Sequence, residues 1–306
     1  MNVLVTGIGG YIGPLVARTM RDRGHDVRGF SRRPERIDLD VPVIGGDAIT
    51  GDGLELALDG IDVAYFLIHS MEPTSTGHDP FSIRDRAAAE RFADAARRAG
   101  VRRIVYLGGP EPPERPPSPH LASRLEVERI LLDAVPGSVA LRASIVIGAR
   151  SRAFRFLVRL IERLPVLILP AWQQHRGMPI DERDVVAALA ACADDPRAAG
   201  SVLDAAGPEV VSYGTLIRRI ADAMLVARPA IASRRVSATP IASRIAAAVA
   251  GEEPELIEPL MESLETDLLP VRPLVSDVLD LRRHSLDAAI EHALSDWERT
   301  EPLAAR

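Results

Sequence analysis

Residues 4–13, Leu-Val-Thr-Gly-Ile-Gly-Gly-Tyr-Ile-Gly, constrain the fold of this chain more than any other stretch. The apolar run Val3–Val5 predicts a short buried strand, and Gly7, Gly10 and Gly13 follow it at three-residue spacing. A helical pattern then begins, with Ile12, Leu15, Val16, Thr19 and Met20 on one face. Strand, glycine turn and helix in that order form a cradle for a dinucleotide pyrophosphate. The first glycine permits the tight turn, the second lets backbone approach phosphate, and the third lets helix pack closely on strand. Unpaired N–H groups of the first helical turn and the helix dipole then face the anion. Gly7, Gly10, Tyr11, Ile12 and Gly13 are the expected pyrophosphate-binding residues, with Tyr11 packing rather than doing chemistry.

Strands and helices alternate to about residue 150. Strands are expected at Val27–Ser31, Pro42–Gly45, Val63–His69, Ile104–Leu107 and Val139–Ile147. Helices are expected over Ile83–Gly100, with Gly100 as its cap, and over Ala122–Leu132. This spacing predicts an α/β fold, a Rossmann-type doubly wound parallel sheet in which ligands sit beyond the carboxyl ends of the strands. Residues 1–150 form the expected dinucleotide-binding domain, and 151–306 a smaller, mostly helical substrate lobe. That lobe opens on a helical apolar face made by Phe154, Leu157, Val158, Leu160, Ile161 and Leu164.

Bulk properties narrow the function. An apolar content of 47% supports a real core, and a net charge of −6 with no basic block argues against a nucleic-acid partner. The single cysteine, Cys192, rules out an intrachain disulfide and argues against a structural zinc; its alanine-rich surroundings place it in the core. No charged-then-apolar leader precedes the first strand, and no apolar run approaches ~18 residues, so a cytoplasmic protein away from membranes is expected.

The second strand decides the cofactor. Asp26 lies at the spacing of the usual NAD-selecting acid, but it opens the strand and so falls at the wrong edge of the sheet. The strand closes instead on Ser31-Arg32-Arg33, where a hydroxyl and two guanidiniums suit a 2′-phosphate. NADP(H) is therefore expected over NAD(H).

The GxxGxxG turn, the arginine after the second strand, Gly46-Asp47 after the third and the Arg-Arg-Ile-Val-Tyr-Leu fifth strand resemble the short-chain dehydrogenases/reductases. Within that superfamily the chain is most similar to the atypical, NmrA-like NAD(P)H-binding branch, through residues 65–71, 118–124 and 141–148. The resemblance covers about residues 1–210. It implies that Asp47, with Ala48, meets the adenine ring, and that Ile68, His69, Ser70 and Ser144 flank the nicotinamide at the ends of the fourth and sixth strands. Residues 179–210 resemble the short strand and acid-capped helix with which extended members return to the first domain, and Asp184 is read as that N-cap.

The superfamily's usual Ser, Tyr and Lys are missing. The fifth strand ends in Gly108-Gly109, and the Tyr-x-x-x-Lys positions read His120-x-x-x-Arg124. Spacing of four places His120 and Arg124 on one helix face if the helix starts early enough, although Pro117 and Pro119 crowd its start. An imidazolium with an ordinary pKa of ~6.5 could donate the proton that carbonyl reduction needs. Arg124 could bind cofactor or stabilise negative charge, while lowering the proton affinity of His120. The expected substrate pocket takes in Met71, Gly109 and a loop bearing Trp172 and Met178. Residues 235–275 could form a lid or a homodimer face, and the proline-rich 110–119 stretch a stiff loop beside the cleft.

These features predict an atypical NADP(H)-dependent reductase passing hydride to a ketone, quinone or related conjugated small molecule. A non-catalytic dinucleotide-binding sensor is the alternative, favoured by the missing triad. Nucleotide-sugar epimerase or dehydratase chemistry is disfavoured by the missing Tyr-Lys pair.

Overall fold

The computed structural model describes residues 1–69, 81–112, 117–169, 171–232 and 264–303. Ser70, Met71 and most of the 235–275 segment lie outside these residues, as do 113–116 of the proline-rich loop.

The Val3–Val5 run forms β1 (Asn2–Thr6), and the glycine turn leads into α1 (Ile12–Asp22). Parallel strands β2 (Asp26–Ser31) and β3 (Val43–Gly45) lie to one side of β1. On its other side lie β4 (Val63–Phe66), β5 (Arg103–Gly108), β6 (Val139–Ala143) and β11 (Val202–Ala205). The seven-stranded order is β11-β6-β5-β4-β1-β2-β3. Order reverses between β1 and β4, which opens a crevice above the carboxyl end of β1. Side chains alternate across the sheet as a strand's period of two requires. Val3 and Val5 join a core with α1, while Leu4 joins the opposite core with Phe66 and Phe92.

Helices α2 (Leu54–Leu58), α3 (Phe81–Arg98) and α4 (Pro119–Ala134) link the strands. Helix α3 runs to Arg98, and the chain turns just beyond it at Gly100, whose φ of +73° is the left-handed conformation expected where a helix is closed off. Proline at the first position helps α4 start early: Ser118 caps it, its hydroxyl accepting from Leu121 N at 3.4 Å. His120 and Arg124 therefore both stand on the helix.

Two expectations need correction. The predicted strand over Val139–Ile147 breaks at Ser144-Ile145. Beyond the break β7 (Val146–Ile147) leaves the main sheet to pair with β10 (Ile180–Asp181). Helix α6 (Glu182–Cys192) is capped by Asp181, whose carboxylate accepts from Arg183 N at 2.8 Å. Asp184 is buried within the first turn, where it accepts from His284 N at 2.8 Å and lies 2.6 Å from His284 Nδ1. It is a tether for the C-terminal segment, not a cap.

The second lobe contains α5 (Arg152–Arg163), β8 (Leu167–Leu169), β9 (Arg176–Gly177), β12 (Val211–Ser212), α7 (Tyr213–Ala223) and β13 (Ala230–Ala232). Helices α8 (Val275–Val278) and α9 (Leu286–Glu298) follow. Phe154, Leu157 and Ile161 of α5 pack with Leu216 and Ile220 of α7 and with Ile290 and Trp297 of α9 into a separate apolar core. Cys192 is buried, as expected. Among the described residues no helix is long and apolar enough to cross a membrane.

Candidate active site

The glycine turn has no room for side chains. Gly7 sits at φ +65°, and a Cβ there would lie 2.5 Å from the Leu67 carbonyl oxygen, because the chain leaving β4 passes directly over it. A Cβ on Gly13 would lie 2.3 Å from the Gly7 oxygen, so only glycine lets α1 sit this close to β1. Gly10 N donates to Gly7 O at 2.9 Å and closes the turn. Thr6 Oγ1 donates to Tyr65 O at 2.9 Å and accepts from Leu67 N at 3.2 Å, fixing the crevice floor. This backbone-lined cradle at a helix N-terminus fits a pyrophosphate, and no donor in it is a side chain that could swing away.

Tyr11 reaches across the crevice. Its hydroxyl donates to Glu182 Oε2 at 2.5 Å, over Gly148, where a Cβ would lie 1.9 Å from that hydroxyl. Burial, then the nearby Glu182 charge, pushes the phenol well above its ordinary pKa, so it stays a donor. Burial likewise raises the Glu182 carboxyl. The tyrosine thus ties the turn to the start of α6.

At the adenosine end, β2 delivers Ser31, Arg32 and Arg33 to the carboxyl edge. Ser31 Oγ accepts from Arg33 N at 3.1 Å, and both arginines are exposed, with no carboxylate partner among the described residues. Asp26 is exposed at the opposite edge, in register with Asn2. Asp47 Oδ1 accepts from Ile49 N at 2.8 Å, an arrangement that holds the carboxylate beside buried Ala48.

At the other end the chain brings together His69, His120, Arg124 and two residues that sequence reasoning missed, Asp85 and Ser123. Ile68 is half-buried against the α3-side core, and His69 follows it beyond β4. His69 Nδ1 lies 3.1 Å from Asp85 Oδ2 of α3, and Ser123 Oγ of α4 lies 3.5 Å from the same oxygen. The His69 and His120 rings are 5.0 Å apart, with Phe81 6.2 Å from His120. Burial first, then the Arg124 charge, lowers His69 below its ordinary pKa despite Asp85. Burial, His69 and Arg124, in that order, depress His120 to about 3. His120 is therefore neutral at pH 7, and the imidazolium expected from its ordinary pKa is not its resting form. Arg124 stacks 5.0 Å over the Tyr106 ring and donates to Leu107 O; Tyr106 Oη donates to Arg124 O at 3.1 Å. A Cβ on Gly109 would lie 2.9 Å from Leu121 Cδ2 and 3.9 Å from Arg124 Cγ, so that glycine lets β5 run close against α4.

Ser144 stands at the end of β6, its hydroxyl buried and without a partner among the described residues. The expected pocket residues separate. Met178 is half-buried and its carbonyl accepts from Gly207 N at 3.3 Å, whereas Trp172 is turned into the core of the second lobe. There its ring meets Tyr213 edge-on at 6.4 Å and borders a small cavity of about 20 Å³ lined also by Ile145, Phe156 and Leu264. The residues following Trp172 turn back because 171–174 form a short 3-10 helix rather than an open loop.

A glycine-lined cradle at a Rossmann switch point, with two half-buried imidazoles at the carboxyl edge of the same sheet, suits a dinucleotide. Comparison with known proteins agrees. Residues 7–144 match the NAD(P)H-binding family. The matched segment is somewhat under half of the chain and carries its similarity to the atypical short-chain dehydrogenases/reductases. Its sequence is 35% identical to a 3 beta-hydroxysteroid dehydrogenase/Delta 5→4-isomerase of Mycobacterium tuberculosis over 113 residues, 34% of this chain and 30% of the relative. It is 30% identical to a 2-alkyl-3-oxoalkanoate reductase of Stenotrophomonas maltophilia over 138 residues, 44% of this chain and 39% of that one. The matches thus span about a third of the curated relatives' length. A short-chain dehydrogenase/reductase superfamily protein from Agrobacterium tumefaciens, solved with bound NAD, shares the fold with a TM-score of 0.71 and 20% identity, over 98% of each chain.

Proposed function

We propose that this protein is an NADP(H)-dependent oxidoreductase that transfers hydride to a ketone, quinone or related conjugated small molecule. The observation that carries the proposal is the juxtaposition of the glycine cradle with His69, His120 and Arg124 at the carboxyl ends of β4 and β5. The cofactor, when bound, supplies the hydride. This chain's residues do the rest. Gly7, Gly10, Tyr11, Ile12 and Gly13 bind the pyrophosphate, and Ser31, Arg32 and Arg33 take the 2′-phosphate. Asp47 and Ala48 receive the adenine, while Ile68, His69, Ser70 and Ser144 flank the nicotinamide.

His120 lies where the superfamily's tyrosine would stand and is assigned to the substrate oxygen. Neutral at rest, it acts as a hydrogen-bonding group and proton carrier, and preorganised positioning supplies much of the acceleration. Arg124, fixed against β5, holds positive charge near the developing alkoxide. Gly109, Met71 and Met178 bound the substrate side. The names of the two relatives, a hydroxysteroid dehydrogenase and an oxoalkanoate reductase, favour a ketone or alcohol on an apolar body. A cytoplasmic location and a homodimer belong to the same proposal.

The test is NADPH oxidation across a panel of polycyclic ketones and quinones, with NADP⁺ reduction by the matching alcohols. Turnover is expected, and His120→Phe is expected to lower kcat by about 100-fold or more. No turnover of any panel member despite tight NADPH binding would favour a sensor, the reading that the missing Ser, Tyr and Lys support.

A further inference from the structure

Among the described residues, two neighbouring ring nitrogens are buried without a hydrogen-bond partner, His69 Nε2 and His120 Nδ1. Buried polar atoms are nearly always paired, so each such atom requires an explanation. Here the rings that carry them lie 5.0 Å apart at an interplanar angle of 49°.

The far side of His69 fixes its tautomer. Nδ1 lies 3.1 Å from Oδ2 of Asp85, a carboxylate only 4% exposed. A carboxylate only accepts, so Nδ1 carries the hydrogen and Nε2 keeps the lone pair. The two nitrogens are not bonded to each other in the structure, but an Nδ1–H of His120 turned toward His69 Nε2 would satisfy both at once. That tautomer leaves a lone pair on His120 Nε2.

We infer that Asp85, His69 and His120 form a proton relay, with His120 as the catalytic residue and His69 and Asp85 as positioning residues. The inference rests on the oxidoreductase reading above. In the oxidation direction the substrate O–H bond breaks and its proton moves to His120 Nε2. The proton on His120 Nδ1 passes to His69 Nε2, and the carbinol C–H pair leaves as hydride to the oxidised dinucleotide. The alcohol becomes a carbonyl, and the one positive charge comes to rest on His69 beside the Asp85 carboxylate. Reduction runs the same transfers backwards.

The surroundings suit a relay that is neutral at rest. Arg124 of α4 and Arg152 of α5 face His69, Arg124 also faces His120, and among the described residues Asp85 of α3 is the one anion facing both. Phe81 stands beside His120, the ring centroids 6.2 Å apart. Two charged imidazoles cannot coexist at this separation, but one shared proton is balanced by Asp85.

The test is ¹⁵N NMR of the full chain labelled at histidine, with NADPH bound. Expected are Nδ1–H tautomers for both His69 and His120, and a ¹⁵N–¹⁵N coupling across a hydrogen bond between His120 Nδ1 and His69 Nε2. Asp85→Asn presents an amide N–H to Nδ1, which flips His69 to the Nε2–H tautomer, removes the acceptor and abolishes the coupling. His69→Gln is expected to lose it as well and serves if Asp85→Asn fails to fold. An Nε2–H tautomer for His120 in the native protein, or a coupling that survives Asp85→Asn, would overturn the relay. These signals are read without turnover, so their failure is distinguishable from failure of the ketone and quinone panel.

Discussion

Gly13→Ala is expected to weaken NADPH binding by about 100-fold or more, read by fluorescence titration; that factor corresponds to about 2.7 kcal/mol. The added methyl would lie 2.3 Å from Gly7 O, 2.8 Å from Gly7 C and 2.9 Å from Ile8 Cα. All three are backbone atoms of the turn, so no flexible side chain can move aside. The helix must shift off the strand, and the N–H groups of its first turn move with it. Gly24→Ala is the control. Gly24 has φ +83° with nothing within 4 Å of its added Cβ, far from the crevice at the end of α1. Its substitution costs on the order of 1 kcal/mol of stability and is expected to leave NADPH affinity unchanged. Unaltered binding in Gly13→Ala would mean that the pyrophosphate lies elsewhere.

The second large effect concerns cofactor choice. Arg32→Ala/Arg33→Ala is expected to reduce NADPH affinity by roughly 50-fold while leaving NADH affinity nearly unchanged. A charge-assisted hydrogen bond contributes about 1.5–3 kcal/mol, and solvent screening of these exposed arginines reduces the pair to roughly 2–3 kcal/mol. The same screening predicts that NADPH binding weakens with added salt more steeply in the native protein than in the variant. An unchanged ratio of NADPH to NADH affinity would remove the 2′-phosphate from Ser31, Arg32 and Arg33. Glu35 and Asp38 follow closely in the chain, so the arginines must supply enough positive field to offset them.

Local signals made half of the site legible in the sequence. The turn glycines, the strand before them and the arginines closing β2 act within a few residues of one another, and their spacing alone dictates their geometry. His120 and Arg124 were legible for the same reason, since proline at the first helical position starts α4 early rather than delaying it. What the sequence concealed depends on contacts between distant segments. Tyr11 meets Glu182 from 171 positions away, and Asp184 is held by His284 from 100. The bend at Ser144-Ile145 exists because β10 draws β7 out of the sheet, which the apolar run Val139–Ile147 does not encode.

Asp85 carried a signal that could have exposed it. It shares the buried face of α3 with Ala88, Ala89, Phe92 and Ala96 at helical spacing, a carboxylate on an otherwise apolar stripe. Charged residues are almost never fully buried without a partner, and His69 is the partner found here. Trp172 misleads for the opposite reason. Amides, a histidine and an arginine follow it like loop composition, yet the indole itself completes the second core.

The central claim is hydride transfer from NADPH to a carbonyl or quinone, and the most direct measurement is the fate of the hydride itself. NADPH carrying deuterium at nicotinamide C4 is incubated with the native protein and the ketone and quinone panel, and the products are analysed by mass spectrometry. The expected result is an alcohol with one deuterium on the former carbonyl carbon, formed one for one with NADP⁺, and its near-absence in His120→Phe. Reduction of a quinone would likewise yield NADP⁺ and hydroquinone in equal amounts. A protein saturated with labelled NADPH that leaves every acceptor unreduced would contradict the account.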